Sequence, residues 1–228
     1  MITHDQIDAY NSELQQADFE EVMQSVNELF DGRLVMTSSF QTQSIPLLHM
    51  ISRLDFEVPI LFLDTGFHFK ETLAFRDDLL ERWGLNVLNV SKTLGHSEFL
   101  RIYGPLYKKN VDKCCHINKT IPLRSVVEHY SAWISGVRSD QTSLRQKLRL
   151  FNLQKDGKVK VCPMINWTER DVFKYMAEHK LPEHPLLSKG YMSVGCKPCT
   201  SPVYGDSESR SGRWQGESKT ECGIHKEE

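Results

Sequence analysis

A chain of 228 residues, 39% hydrophobic and 25% charged, carries enough apolar material for one large α/β domain with its own core. Its formal charge of -2 supplies no global basic field to gather nucleic acid or anionic lipid, so any anion site has to be built locally. No apolar run approaches the roughly 18 residues of a membrane helix, and the opening MITHDQIDAYNSELQQ lacks the basic and apolar blocks of a signal peptide, so a cytoplasmic protein is expected.

Residues 4–31 predict one or two amphipathic helices, with Ile7, Tyr10, Leu14, Phe19, Val22, Val26 and Phe30 near helical spacing and Gly32 ending the run. Apolar segments then alternate with helical ones: strand 33–37, helix 43–53, strand 59–63, helix 69–83, strand 86–90. That alternation predicts an open, mostly parallel sheet with helices on both faces. SAWISGV (131–137) adds a buried strand, and 147–153 and 158–161, joined across Asp156-Gly157, predict a hairpin. Residues 167–180 predict a helix capped by Thr168. From about Leu187 the chain turns rich in Gly, Ser, Lys and Glu and poor in large apolar residues. The expected organisation is an α/β unit over 1–186 and a C-terminal appendage, 187–228, that belongs to the same domain and cannot fold alone.

In a reducing compartment the cysteines at 114, 115, 162, 196, 199 and 222 point to ligands or nucleophiles rather than disulfides. Cys114 and Cys115 open KCCHINKTIPLRSVV, a predicted helix start, and Cys196 and Cys199 form the C-x-x-C turn GCKPCT. Two such pairs could hold Zn²⁺ or an iron–sulfur cluster. Adjacent cysteines favour the cluster, whose separate iron corners each accept one ligand. Cys162, in VKVCPMI, reads as a small buried residue.

Ser38-Ser39-Phe40-Gln41-Thr42-Gln43-Ser44 joins a strand to a helix, the usual position of an anion loop, and Asp64, Thr65 and Gly66 close the next strand at the same edge. Near the end, Lys219-Thr220-Glu221-Cys222-Gly223-Ile224-His225 places a thiol beside Lys219 and His225, downstream of Arg210 and Arg213. Cationic company of that kind favours a reactive thiolate, although Glu221 acts against it.

The loop, LDTGFHF, WISGVRSDQ and KTECGIH together resemble the adenylyl sulfate and phosphoadenylyl sulfate reductases, from about residue 30 onward. Those enzymes share an adenine-nucleotide fold with pyrophosphatases whose loop reads S-G-G-x-D-S. Here the matching SFQTQS has Gln43 in the Asp place, a poor Mg²⁺ ligand. The resemblance implies a 4Fe–4S cluster on Cys114, Cys115, Cys196 and Cys199, a mark of the branch that generally prefers adenylyl sulfate. It also implies that Cys222 attacks the phosphosulfate, leaving a cysteine S-sulfonate that thioredoxin or glutaredoxin reduces to sulfite in sulfate assimilation. Lys119, Arg138, Arg210 and Arg213 are carried over as substrate contacts, with Lys219 and His225. His68 and Phe69 either pack on the nucleoside or serve as core and cap. A homo-oligomer without nucleic-acid or membrane partners is expected. The alternatives are a reductase for the 3′-phosphorylated substrate or for both, an ATP-dependent adenylating enzyme on the same fold, and a cluster- or zinc-bearing redox sensor.

Overall fold

The computed structural model describes residues 2–91, 94–205, 210–217 and 219–225. Thr3 and Asp18 each accept a hydrogen bond from the backbone three residues on, at Gln6 and Glu21, whose side chains reach back to complete a capping box. The second box divides the predicted 4–31 segment into α1 (His4–Glu13) and α2 (Phe19–Leu29).

Six strands follow, β1 (Leu34–Thr37), β2 (Ile60–Asp64), β3 (Val87–Ser91), β4 (Ala132–Ser135), β5 (Phe151–Leu153) and β6 (Val159–Val161), in the order β3-β2-β1-β4-β6-β5. Every neighbouring pair is parallel except β5 with β6. Strand alternation sends Leu34, Met36, Ile60, Phe62, Ala132 and Ile134 into the main core. α1, α2, α3 (Ile45–Ile51), α4 (Lys70–Trp83) and α9 (Glu169–Glu178) contribute to the same core. Val35, Leu61, Val90 and Trp133 pack on the opposite face against Leu123 and Val127 of α8 (Ile121–Val127). Helices on both faces of an open sheet are the architecture expected, and Thr168 caps α9 by accepting from the Asp171 N–H.

Three local expectations are corrected. The hairpin's first strand begins at Phe151 instead of 147, because residues 145–147 are wound into a 3₁₀ turn. Residues 92–113, given no element from the sequence, contain α5 (His96–Tyr103), α6 (Leu106–Lys109) and α7 (Val111–Cys115), two of them too short for a periodic signal. Cys114 and Cys115 end α7 instead of starting a helix, since Asn110 caps it four residues earlier by accepting from the Lys113 N–H at 2.8 Å. The helix continues through a π turn, His116–Thr120, into α8.

The C-terminal stretch has no long element. Thr200 bridges Arg213 in antiparallel fashion, the Ser201 N–H donates to the Gly212 carbonyl at 2.9 Å, and Trp214 N–H donates to Cys199 O at 3.2 Å. Backbone bonds therefore tie residues 212–214 to the C-x-x-C turn. Upstream, His184 joins three segments. Its Nδ1 accepts from the Leu186 N–H at 3.2 Å, so Nε2 carries the proton toward Thr72 Oγ1, 3.0 Å away on α4. Its own N–H donates to Thr42 Oγ1 in the loop after β1, at 3.2 Å.

Burial pushes the His184 pKa down to about 4, so the folded state favours the neutral ring. A depressed histidine stabilises fully above its unfolded value of about 6.5 and loses that contribution as pH falls toward 4. Thermal melts of the parent and His184→Gln at pH 7.5, 6 and 4.5 are expected to show the parent's advantage shrinking as the pH drops. A constant gap across that range would refute the assignment.

Candidate active site

β1 is the switch point of the sheet: the chain runs outward through β2 and β3 on one side, and β4 and β6 lie on the other. A cleft opens there beyond the carboxyl ends of β1 and β4. Its apolar part is made by Met36, Leu47, Phe62, Gly136 and Val137, with the hydroxyls of Ser38 and Ser39 beside them. Its other wall carries Lys119, Arg145, Arg210, Arg213, Glu221 and Cys222. One end thus suits a flat apolar group and the other an anion.

The loop between β1 and α3 has an unusual backbone. Phe40 adopts φ 53, a left-handed conformation that a bulky residue rarely holds, and it occupies the first Gly place of the S-G-G-x-D-S pattern. Complete burial, with an edge contact to Phe62 at 5.7 Å between ring centroids, holds it there, and Ser38 Oγ accepts from its N–H at 3.1 Å. Gln43 is buried, and both ends of its amide are engaged. The nitrogen donates to Glu169 Oε1 at 2.6 Å, while the oxygen accepts from Arg138 Nη1 at 2.6 Å and Gln141 Nε2 at 3.3 Å. An ionised Asp, which only accepts, could not fill this position.

The cationic wall is organised around Glu221. Its carboxylate, 2% exposed, receives Arg145 Nε at 2.6 Å, Arg145 Nη2 at 2.9 Å and Thr142 Oγ1 at 2.8 Å, with Arg210 Nη2 at 3.7 Å. Burial alone would raise its pKa, but Arg145 and Arg210 outweigh that and hold it below the usual carboxylate value. Burial and the nearby Arg145 lower Arg210 to about 10, which leaves it charged at neutral pH. Lys119 is held above the ordinary lysine value although burial opposes its charge, because the sulfurs of Cys196, Cys222 and Cys115 surround it. The Cys222 thiol is held well below its usual range by a hydrogen bond from Cys115, then by Lys119, the Ile224 N–H and Arg213, against burial.

Cys114, Cys115, Cys196 and Cys199 line one small void with Phe67, Tyr107 and Trp214. Among the described residues no group of three or more Cys, His, Asp or Glu side chains is set to hold a single metal ion. Four sulfurs spread around a void fit a multi-iron cluster, which takes one ligand per corner. Desolvation and the neighbouring Cys196 and Cys199 push Cys114 up to about 11, so this void favours the neutral thiol unless a cation binds there.

The remaining sequence-predicted residues divide between the cleft and its supports. Ser38, Ser39, Gln43, Lys119, Arg210, Arg213 and Cys222 meet on the cleft wall. Arg138 does not: it is 1% exposed and bonded to Asp140 and Gln43, so it props the loop from behind. Asp64 accepts from the Gly66 N–H at 2.9 Å, closing a turn in which Gly66 takes φ 71. Thr65 Oγ1 faces Cys196 Sγ at 3.3 Å, on the cysteine side. Lys219 pairs with Asp112 and lies 5.6 Å over the Trp214 ring, off the cleft wall. Of the two residues after the turn, His68 lines the cleft and Phe69 joins a small core with Leu186 and Val194. The His225 side chain lies outside the described residues. Arg145 was not anticipated, because one arginine in TSLRQKLRL carries no distinguishing pattern. Gly195 allows Arg213 into place, since a Cβ there would lie 2.2 Å from the guanidinium.

Residues 33–202 match the phosphoadenosine phosphosulfate reductase domain. The chain is 42% identical over 206 residues to adenosine 5'-phosphosulfate reductase of Mesorhizobium japonicum, covering 90% of this chain and 80% of that one. It is 39% identical over 199 residues to adenosine 5'-phosphosulfate reductase 1 of Bacillus subtilis, covering 86% and 85%. Among solved structures, the phosphate complex of Candida auris phosphoadenylyl-sulfate reductase superimposes with a TM-score of 0.76 at 25% identity, over 89% of this chain and 98% of that one. Candida glabrata FMN adenylyltransferase shares the fold at a TM-score of 0.60 and 13% identity, over 100% and 81%.

Gln43→Glu would set a carboxylate against Glu169 where an amide now donates. A cost of about 2 kcal/mol corresponds to a melting temperature lower by about 4–8 °C, and Glu169→Gln in the same chain should recover most of it. No recovery in the double variant, measured by calorimetry, would show that the contact does not govern the loop.

Proposed function

The chain belongs to the phosphoadenosine phosphosulfate reductase family, and on that basis we propose that it reduces adenylyl sulfate to sulfite and AMP with electrons from a thioredoxin-type dithiol. The observation that carries this reading is Cys222 on the cationic wall of the cleft at the carboxyl edge of the sheet, with Lys119, Arg145, Arg210 and Arg213 around it. The adenosine would lie over Leu47, Phe62 and Val137, and the phosphosulfate would face the cations. The Cys222 thiolate attacks the sulfur, the S–O bond to phosphate breaks, and AMP leaves with the electron pair while the arginines and Lys119 stabilise the charge. Cys222 is then an S-sulfonate. A thioredoxin thiolate attacks its Sγ, sulfite departs, and the second thioredoxin thiol resolves the mixed disulfide, so that two electrons are supplied overall.

The first step favours a closed, dry cleft, and the second needs Cys222 exposed to another protein. The relatives' shared name favours the unphosphorylated substrate, as does the absence of Lys and Arg from residues 38–44. Cys114, Cys115, Cys196 and Cys199 would hold a 4Fe–4S cluster, which when bound supplies a fixed electrostatic and structural anchor beside Lys119.

Anaerobically purified protein is expected to release sulfite from adenylyl sulfate at least tenfold faster than from its 3′-phosphorylated analogue, and Cys222→Ser to abolish both reactions. Sulfite production by Cys222→Ser would sink the nucleophile assignment, and equal rates on both substrates would sink the preference. Iron analysis tests the cluster separately: about four irons per chain in the parent, and loss of most of them in Cys199→Ser. Stoichiometric zinc in place of iron would overturn that assignment.

A further inference from the structure

Cys222 lies on a stretch with no long element, yet its neighbours are fixed. We propose that Glu221 and Ile224 form a two-point clasp that seats Cys222 in the cleft, Glu221 as a polar peg and Ile224 as an apolar one, both acting as positioning residues. This rests on the reading of Cys222 as nucleophile and extends it to what aims the thiol.

The polar peg is held at several points. Glu221 makes three hydrogen bonds to Arg145 and Thr142, and Arg210 Nη2 donates to the carbonyl of Thr220 at 3.0 Å. Through Gln141, which accepts from Arg145 and donates to Gln43, the peg connects to the loop after β1. The apolar peg follows the thiol by two residues. Ile224 packs against the cluster formed by Val35, Leu61, Val90, Leu123, Val127 and Trp133, and lines both the cleft and a second groove with Leu123 and Trp133. Cys222 lines the same cleft, so seating the Ile224 side chain limits where the thiol can lie. Gly223 permits this approach: a Cβ there would meet Thr120 Oγ1 at 3.2 Å, on the π turn that also carries Lys119. Each residue of Glu-Cys-Gly-Ile therefore has a distinct physical task.

A clasp separates the two half-reactions, because closure favours attack on the nucleotide and opening favours attack by thioredoxin. In the cluster-loaded enzyme without substrate, iodoacetamide labelling of Cys222, read as mass added to the tail peptide, samples the open tail. Glu221→Gln and Ile224→Ala are each expected to raise the labelling rate about tenfold, and Ile224→Leu to restore the parent rate. In the double variant, single-turnover S-sulfonate formation from adenylyl sulfate slows, whereas thioredoxin reduction of preformed S-sulfonate does not. Unchanged labelling in both single variants would overturn the clasp. So would variants that lose iron and slow both half-reactions equally, which is what a merely structural role predicts. Sulfite release by Cys222→Ser is a separate failure, since it removes the nucleophile while the labelling rates still report the seating.

Discussion

Cationic side chains gathered at the edge of a sheet, partly out of water, must be answered by anions, and here the resident anion is the Glu221 carboxylate. Arg145 holds it with two hydrogen bonds, and Arg210 stands behind. Removing one partner of a buried pair of this kind typically costs about 3–5 kcal/mol, because the other charge is left without compensation. Lys119 and Arg213 add further positive charge to the same wall. Among the described residues the wall therefore keeps an excess of cations, and the segment that supplies the Glu221 carboxylate also carries the thiol. Arg145 and Arg210 thus bear both on the charge of the cleft wall and on the position of the segment that carries Cys222.

The cysteine void and the cleft share a wall, and the helix from Val111 to Val127 explains how. A regular helix would keep residues 115 and 119 on one stripe. The π turn at His116–Thr120 widens the winding there, so Cys114 and Cys115 face the void while Lys119 borders both the void and the cleft. Such an insertion is uncommon outside functional sites, since it weakens local hydrogen bonding for the sake of side-chain direction. Trp214 completes the wall, packed against Cys115, Cys199 and Cys222 with the Arg213 guanidinium 4.5 Å over its ring. The tail is thus attached to the cysteine side through Trp214 and to the cleft side through Glu221.

Much of this was legible because it follows from local periodicity. Alternating apolar runs placed five strands of a parallel sheet within a residue or two, and Thr168 marked the start of α9 correctly because capping is a local hydrogen bond. Glu221 was misjudged for a related reason. Beside Cys222 in sequence it reads as a repelling charge, and only Arg145, 76 residues away, turns it into a peg. Arg138 was misplaced in the opposite direction: it looks like a free cation in sequence, but Asp140 and Gln43 occupy it behind the loop.

What the sequence determined by itself is what short-range chemistry determines: an open α/β sheet, a strand-to-helix loop with Gln43 where the related pattern has Asp, two cysteine pairs and a further thiol at Cys222. The tertiary structure alone decided which charges face the cleft and which are paired behind it. It also decided that the two cysteine pairs line one void and that a tail without long elements is held at defined points. These outcomes depend on contacts between residues scores of positions apart. The energy of a charged side chain is set by what lies within a few ångströms of it, and sequence neighbours are only a small part of that surrounding.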